Sequence, residues 1–270
     1  MAASHPGPSA VVAITALGLA VAAGAGPGRS ALVVAAVACG QLSIGWSNDW
    51  LDAVRGLDDD RQDKAVGTGR ATVGAVRTAA LVALAACVVL SALLGPLAAA
   101  VHLVAVAGGW AYNARLKTTA LSPLPYLVSF GLLPSVVTAA AGAGAAPVWA
   151  TATGACFGVG GHFANVLPDL AVDAAAGVRG LPHRVGRAGT LAGTVGALGV
   201  GAATVLVVPG DAAVDPLTAG VAAVVAGLLV AVLGLGAARR DEAAYRAAMA
   251  TGLLIVALLV VRGDALVGAA

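Results

Sequence analysis

Nine stretches of this chain are apolar over roughly 17 to 25 residues, and each is long enough to cross about 30 Å of hydrocarbon as a helix. They lie near 9–26, 30–50, 74–94, 96–112, 120–142, 147–168, 188–208, 213–236 and 246–262. The expected fold is therefore all-α, a polytopic membrane bundle of about nine transmembrane helices. Because the spans themselves form the unit, residues 1–270 are expected to make a single domain. Composition supports this at the one point where it decides something. Only 10% of the residues are charged, against roughly a quarter in soluble domains, too few to cover a water-facing surface. The lipid bilayer is thus the first expected partner. The 37 glycines, with abundant alanine, let helix backbones approach closely where no hydrophobic drive brings them together.

Charge fixes the expected orientation. The first apolar segment has no Lys or Arg before it, so it reads as a first span and not as a cleaved signal peptide. Thirteen of the fifteen basic residues fall in the second, fourth, sixth and eighth connections, leaving Arg29 and Arg262 for the other side. The positive-inside rule then places the N-terminus in the cytoplasm and the C-terminus outside, in a multi-pass protein of the cell membrane. A net charge of +2, with no basic run longer than two residues, excludes nucleic acid as a partner. Cys39, Cys87 and Cys156 all sit in apolar runs and read as small core residues.

Two acidic clusters stand at the ends of the second and sixth spans, about 120 residues apart. Asn48, Asp49 and Asp52 form one, and Asn165, Asp169 and Asp173 the other. Both ends are expected to be cytoplasmic, and the correspondence suggests a diverged internal repeat. Spacings of i, i+3 and i, i+4 place each pair of carboxylates on one helix face. At a helix C-terminus they meet the negative end of the macrodipole and repel each other, so a cation is expected between them. Carboxylates and side-chain amides without His or Cys make a hard oxygen set, suited to Mg²⁺ shared with phosphate oxygens. Pro168 removes a backbone bond inside the sixth span and frees the Ala164 carbonyl, opening the helix where the acids begin. Asp58, Asp59, Asp60 and Asp63 read as a solvated charge run. His162 reads as a packing residue, and Trp46 and Trp50 as interfacial belt residues.

These residues carry a resemblance. Asn48-Asp49-Trp50-Leu51-Asp52 resembles the first aspartate motif of the UbiA superfamily of intramembrane prenyltransferases. Asn165 through Asp173, followed by Gly177 and Leu181-Pro182-His183-Arg184-Val185-Gly186, resembles the second. The first motif departs from one common form, with Gly56 standing where another Asp is often found. Arg55-Gly56-Leu57-Asp58 looks more like the branch that prenylates dihydroxynaphthoate, so that Asp58 substitutes as a metal ligand.

The resemblance implies a UbiA-like bundle in which Asp49, Asp52, Asp58, Asp169 and Asp173 hold Mg²⁺, and Asn48 and Asn165 help hold the diphosphate of a prenyl diphosphate. Tyr112 and Lys117 are similar to the family's Tyr and Lys near the diphosphate and would act in catalysis, with an interfacial anchor as the alternative for Tyr112 and a topology charge for Lys117. Arg70 and Arg184 follow the two clusters and would clamp phosphates, or serve as topology charges. The implied activity is Mg²⁺-dependent transfer of an isoprenyl group to a lipophilic aromatic or quinone-precursor acceptor. The alternatives are cyclisation of the donor, transfer to a non-aromatic acceptor, and an ion-coupled transporter. The absence of Lys and Arg before Arg29 tells against a carboxylated benzoate acceptor bound at the first span, leaving Arg55 or Arg115 for any such partner.

Overall fold

The computed structural model describes residues 6–56, 66–175, 177–208 and 216–267. Among the described residues all regular structure is helical, and nine of the helices are long. These are α1 (Pro6–Ala22), α2 (Pro27–Val54), α3 (Val73–Leu93), α4 (Pro96–Ala114), α5 (Leu124–Ala140), α6 (Val148–Val166), α8 (Leu181–Val207), α9 (Pro216–Ala237) and α10 (Asp241–Val261). Two short helices, α7 (Leu170–Ala175) and α11 (Asp264–Val267), and a 3-10 turn (Leu116–Thr118) complete the order. Six of the long helices, α2, α3, α4, α8, α9 and α10, have the length and apolar character to cross a membrane. The chain is an integral membrane protein.

Local chemistry sets the helix ends. Prolines at the starts of α2, α4 and α8 occupy positions whose N–H would lack a partner in any case. Thr72 caps α3 by accepting the Ala75 amide hydrogen at 3.1 Å. The seventh apolar run was expected from 188, yet helix begins at Leu181, because the backbone breaks at Gly186 (φ 69°, ψ −178°) and leaves a separate first turn ahead of the apolar stretch. Thr190 Oγ1 spans that break, 3.0 Å from the Pro182 carbonyl and 2.9 Å from that of Gly186.

The chain divides into two compact units. One comprises the chain to Arg115 together with Ser135–Ala145, the other Leu116–Pro134 together with the chain from Ala146 onward. In the first unit α2 packs on α1, α3 and α4. Close approach is possible because Gly109 of α4 presents no side chain to Ile44 of α2. Inside this unit Ser91 of α3 pairs with His102 Nδ1 of α4 at 2.7 Å, with Cys87 buried beside them. Arg29 donates from Nε to the Ala140 carbonyl at 2.8 Å and from a terminal nitrogen to the Leu93 carbonyl at 3.0 Å. Its charge thus meets the negative ends of α3 and α5.

In the second unit α6 packs on α8 and α10, and α9 packs on both of those. Gly158 of α6 lies against Tyr126 and Phe130 of α5. Arg187 of α8 bridges the Gly236 carbonyl at the end of α9 and the Asp241 carboxylate at the start of α10. In each unit the helix that leads into an aspartate cluster packs most extensively on the next long one, α2 on α3 and α6 on α8.

Candidate active site

The first motif rides on unbroken helix. α2 continues through Asn48, Asp49 and Asp52 to Val54, so the i, i+3 spacing keeps both carboxylates on one face. Asp49 is 1% exposed and Asp52 7%, while Asn48 is half-buried. Both acids occupy the last turns of the helix, at the negative end of its dipole. A row of polar contacts from α4 holds this end. Trp110 Nε1 donates to Ser43 Oγ at 2.8 Å, and Asn113 Nδ2 donates to the Ile44 carbonyl and Ser47 Oγ, both at 2.8 Å. Arg55 donates back to the Asn113 carbonyl at 2.8 Å and to that of Ala114, stabilising the α4 C-terminus. Its guanidinium is therefore engaged by α4, which speaks against the role of acceptor partner suggested for it above. Trp50, expected as a belt residue, is half-buried. It meets Trp110 edge-on at 6.4 Å between centroids and lies under Arg77, 5.4 Å from the ring centre.

The second motif is built differently. α6 ends at Val166, and the Ala164 carbonyl, which Pro168 cannot serve, takes the Leu167 amide hydrogen at 3.2 Å instead. Asn165 stays on α6 and is exposed. Asp169 is exposed in the turn that follows, and Asp173 lies on α7. The Asp173 amide donates to the Asp169 carbonyl at 2.8 Å, so the i, i+4 relation survives, on a new helix. This corrects one expectation. Asp169 stands in the turn after α6 and Asp173 on α7, so the pair does not close one continuous sixth helix. Gly177, at φ 82°, stops α7: its amide donates to the Ala174 carbonyl and that of Val178 to the Asp173 carbonyl. His183 Nε2 lies 3.5 Å from Asp173 Oδ2.

The remaining expected residues are spread over both units. Tyr112 is half-buried on α4, beside Asn113, and Arg70 is exposed in the first unit. Lys117 is half-buried in the 3-10 turn of the second unit. Arg184 is exposed on the first turn of α8, and its Nε donates to the Arg179 carbonyl at 2.9 Å. Asp58 lies outside the described residues. Ser43, Ser47, Trp110 and Asn113, which set the first motif in place, were not singled out from sequence. Their signal was present as polar residues one turn apart on the apolar faces of α2 and α4.

As donors, the motif residues are carboxylate and amide oxygens, which suit a hard divalent ion. Among the described residues no three of His, Cys, Asp and Glu are grouped so as to hold a metal.

Fold and motifs together define a helical integral membrane protein with one acidic motif at the end of its second long helix and another across the break that follows its sixth. The chain belongs to the UbiA prenyltransferase family, which matches residues 11–261. A curated relative, the 1,4-dihydroxy-2-naphthoate octaprenyltransferase of Mycobacterium tuberculosis, is 35% identical over 95 residues. That match covers 33% of this chain and 32% of the relative, about a third of its length. Among solved structures, a UbiA homolog from Archaeoglobus fulgidus bound to GPP and Mg²⁺ has a TM-score of 0.71 at 16% identity, covering 97% of each chain. The apo structure of a UbiA homolog from Aeropyrum pernix has a TM-score of 0.72 at 18% identity, covering 94% of this chain and 97% of the other. At these identities the likeness is one of fold.

Proposed function

We propose that this protein is a Mg²⁺-dependent prenyltransferase that moves an isoprenyl group from a prenyl diphosphate to an aromatic, quinone-precursor acceptor in the membrane, with residues 1–270 acting as one functional domain. The observation that carries this reading is the pair of Asn- and Asp-containing motifs, at Asn48–Asp52 and Asn165–Asp173, in a chain of the UbiA family. The name of the mycobacterial relative favours a dihydroxynaphthoate acceptor, and the Archaeoglobus fulgidus structure, with GPP and Mg²⁺ bound, favours the donor and metal.

In this reading Asp49, Asp52, Asp169 and Asp173, with Asp58, hold Mg²⁺, and Asn48 and Asn165 bind the diphosphate. Mg²⁺, when bound, neutralises the charge gathering on the departing diphosphate. Lys117, Arg70 and Arg184 add donors to its oxygens, and Tyr112 steadies the leaving oxygen or the allylic cation. The acceptor carbon then forms its bond to the allylic carbon as the bond to the diphosphate oxygen breaks, and the acceptor loses a leaving cation, a proton in the simplest case.

The test uses purified protein in detergent with Mg²⁺ and geranyl diphosphate, with or without 1,4-dihydroxy-2-naphthoate, and product identification by mass. A prenylated aromatic that forms only when the acceptor is present is expected. A cyclic hydrocarbon formed without acceptor would replace transfer by cyclisation. We also infer a cytoplasmic N-terminus and an external C-terminus from the distribution of basic residues. A reporter fused after Ala270 should then read as external, and a cytoplasmic signal from an inserted fusion would overturn this orientation.

A further inference from the structure

A buried junction within the second unit joins three segments. Ser122, wholly buried, ends the connector that carries Lys117. Its hydroxyl oxygen accepts the Leu181 amide hydrogen at 2.9 Å and pairs with His162 Nε2 of α6 at 3.0 Å. Leu181 opens α8, where the first amides have no partner inside the helix. Gly180, in the N-cap position, has no side chain to serve them. A side chain there would not fit: a Cβ on Gly180 would come within 2.8 Å of Ser122 Oγ and 2.9 Å of the Lys117 carbonyl oxygen. The first amide of α8 is instead served by a side chain 59 positions away in sequence.

His162 is 1% exposed and fixed in its own right, with its ring stacked on Tyr126 at 4.6 Å between centroids. The Lys117 connector is itself compact. The Thr119 amide bonds to the Leu116 carbonyl at 3.0 Å and the Ser122 amide to the Thr119 carbonyl at 3.1 Å, so anchoring Ser122 also constrains Lys117. On the other side of the junction, the first turn of α8 carries Arg184, and it carries His183 beside Asp173.

We propose that Ser122, held by His162, is a positioning residue for diphosphate binding: it braces the Lys117 connector against the first turn of α8, so that Lys117 and Arg184 are presented to the ligand from one support. This rests on the assignment of Lys117 and Arg184 to the diphosphate made above. A purely structural capping role predicts lost stability with substrate affinity unchanged, whereas a brace predicts weaker binding in protein that remains folded.

The experiment compares wild type with Ser122→Ala, His162→Leu and His162→Gln, each purified in detergent and checked for monodispersity. Hydrogen exchange at the Leu181 amide reads the brace without ligand, and steady-state kinetics with geranyl diphosphate read its consequence. In Ser122→Ala, Leu181 should exchange faster and KM for geranyl diphosphate should rise about tenfold, the equivalent of one hydrogen bond, while kcat changes less than about threefold, since the transition-state contacts themselves remain. His162→Leu should follow Ser122→Ala, and His162→Gln, which keeps a hydrogen-bonding group, should recover most of the lost affinity. If Ser122→Ala does not purify as folded protein, the two His162 variants carry the same comparison. Faster exchange at Leu181 with unchanged KM would overturn the positioning role, and so would unchanged exchange. If wild type itself neither binds nor turns over any prenyl diphosphate, it is the proposed function that falls, which separates the two failures.

Discussion

The ends of α2 and α6 carry the same kinds of residue and are built in opposite ways. At the end of α2 the helix is unbroken, Asp49 and Asp52 are buried, and side chains from α4 fasten the backbone on one side. At the end of α6 the helix stops before Pro168, Asn165 and Asp169 are exposed, and Asp173 belongs to a separate six-residue helix. Repetition of a donor set thus does not repeat its energetics. A buried carboxylate pair at a negative helix terminus is poorly screened and depends on neighbours or a cation to offset it. An exposed carboxylate at the start of a new helix is hydrated and screened by salt. The first motif is a buried arrangement on unbroken helix, and the second is a solvated one whose shape is set by one proline and one glycine.

The largest expected effect tests both motifs at once. Asp49→Asn and Asp169→Asn should each lower turnover by at least about a hundredfold, the scale seen when one electrostatic contact to a developing charge is removed. Only Asp49→Asn should also raise the melting temperature of the ligand-free protein, because only that substitution removes a buried charge. Equal shifts in the two variants would break the comparison. Retained turnover in either at saturating Mg²⁺ would remove that residue from the metal.

Pro168→Ala probes the break in α6 directly. With an amide restored at 168 the helix can continue, carrying Asp169 around the axis and away from its present direction. Turnover should fall by about tenfold or more, as expected when a binding group is misplaced by an ångström or so, with thermal stability unchanged or improved. Full activity in this variant would mean that the second motif does not need the break.

Asn113→Ala addresses the fastening of α2. It leaves the Ile44 carbonyl and Ser47 without their α4 donor and should cost about 1–3 kcal/mol of stability, read by thermal unfolding in detergent. The corresponding truncation at the second motif, Asn165→Ala, removes an exposed side chain and should cost under about 0.5 kcal/mol, whatever it does to activity. A loss as large as that of Asn113→Ala would show that the second motif is braced as firmly as the first. A smaller effect than that of Asn113→Ala is expected for Arg55→Gln, which withdraws a cation from the C-terminus of α4 and should cost about 0.3–1 kcal/mol. Arg184→Gln, on an exposed turn with a local backbone bond, should leave stability unchanged.

Residue order and composition by themselves determined that the chain is a helical membrane protein, roughly where its long helices lie, and that an acidic motif recurs near the ends of two of them. Hydrophobic length, proline and the spacing of like residues are local quantities, and a bilayer leaves little choice about how such segments fold. The motif residues were legible for the same reason, since carboxylates beside apolar spans stand out against their background.

What only the tertiary structure decided is which of those acids are buried, and what each basic residue does. Arg29, Arg55 and Arg187 count in the sequence as charges on one side or the other, yet each donates to carbonyls at the end of a neighbouring helix. Ser122 reads in the sequence as an ordinary loop serine, and Gly180 as one glycine among 37. Their pairing across 59 positions exists because α6 brings His162 beneath the connector and leaves no room for a side chain at 180. Burial and hydrogen-bond partnership depend on which segments the packed helices bring together, and no local pattern encodes that.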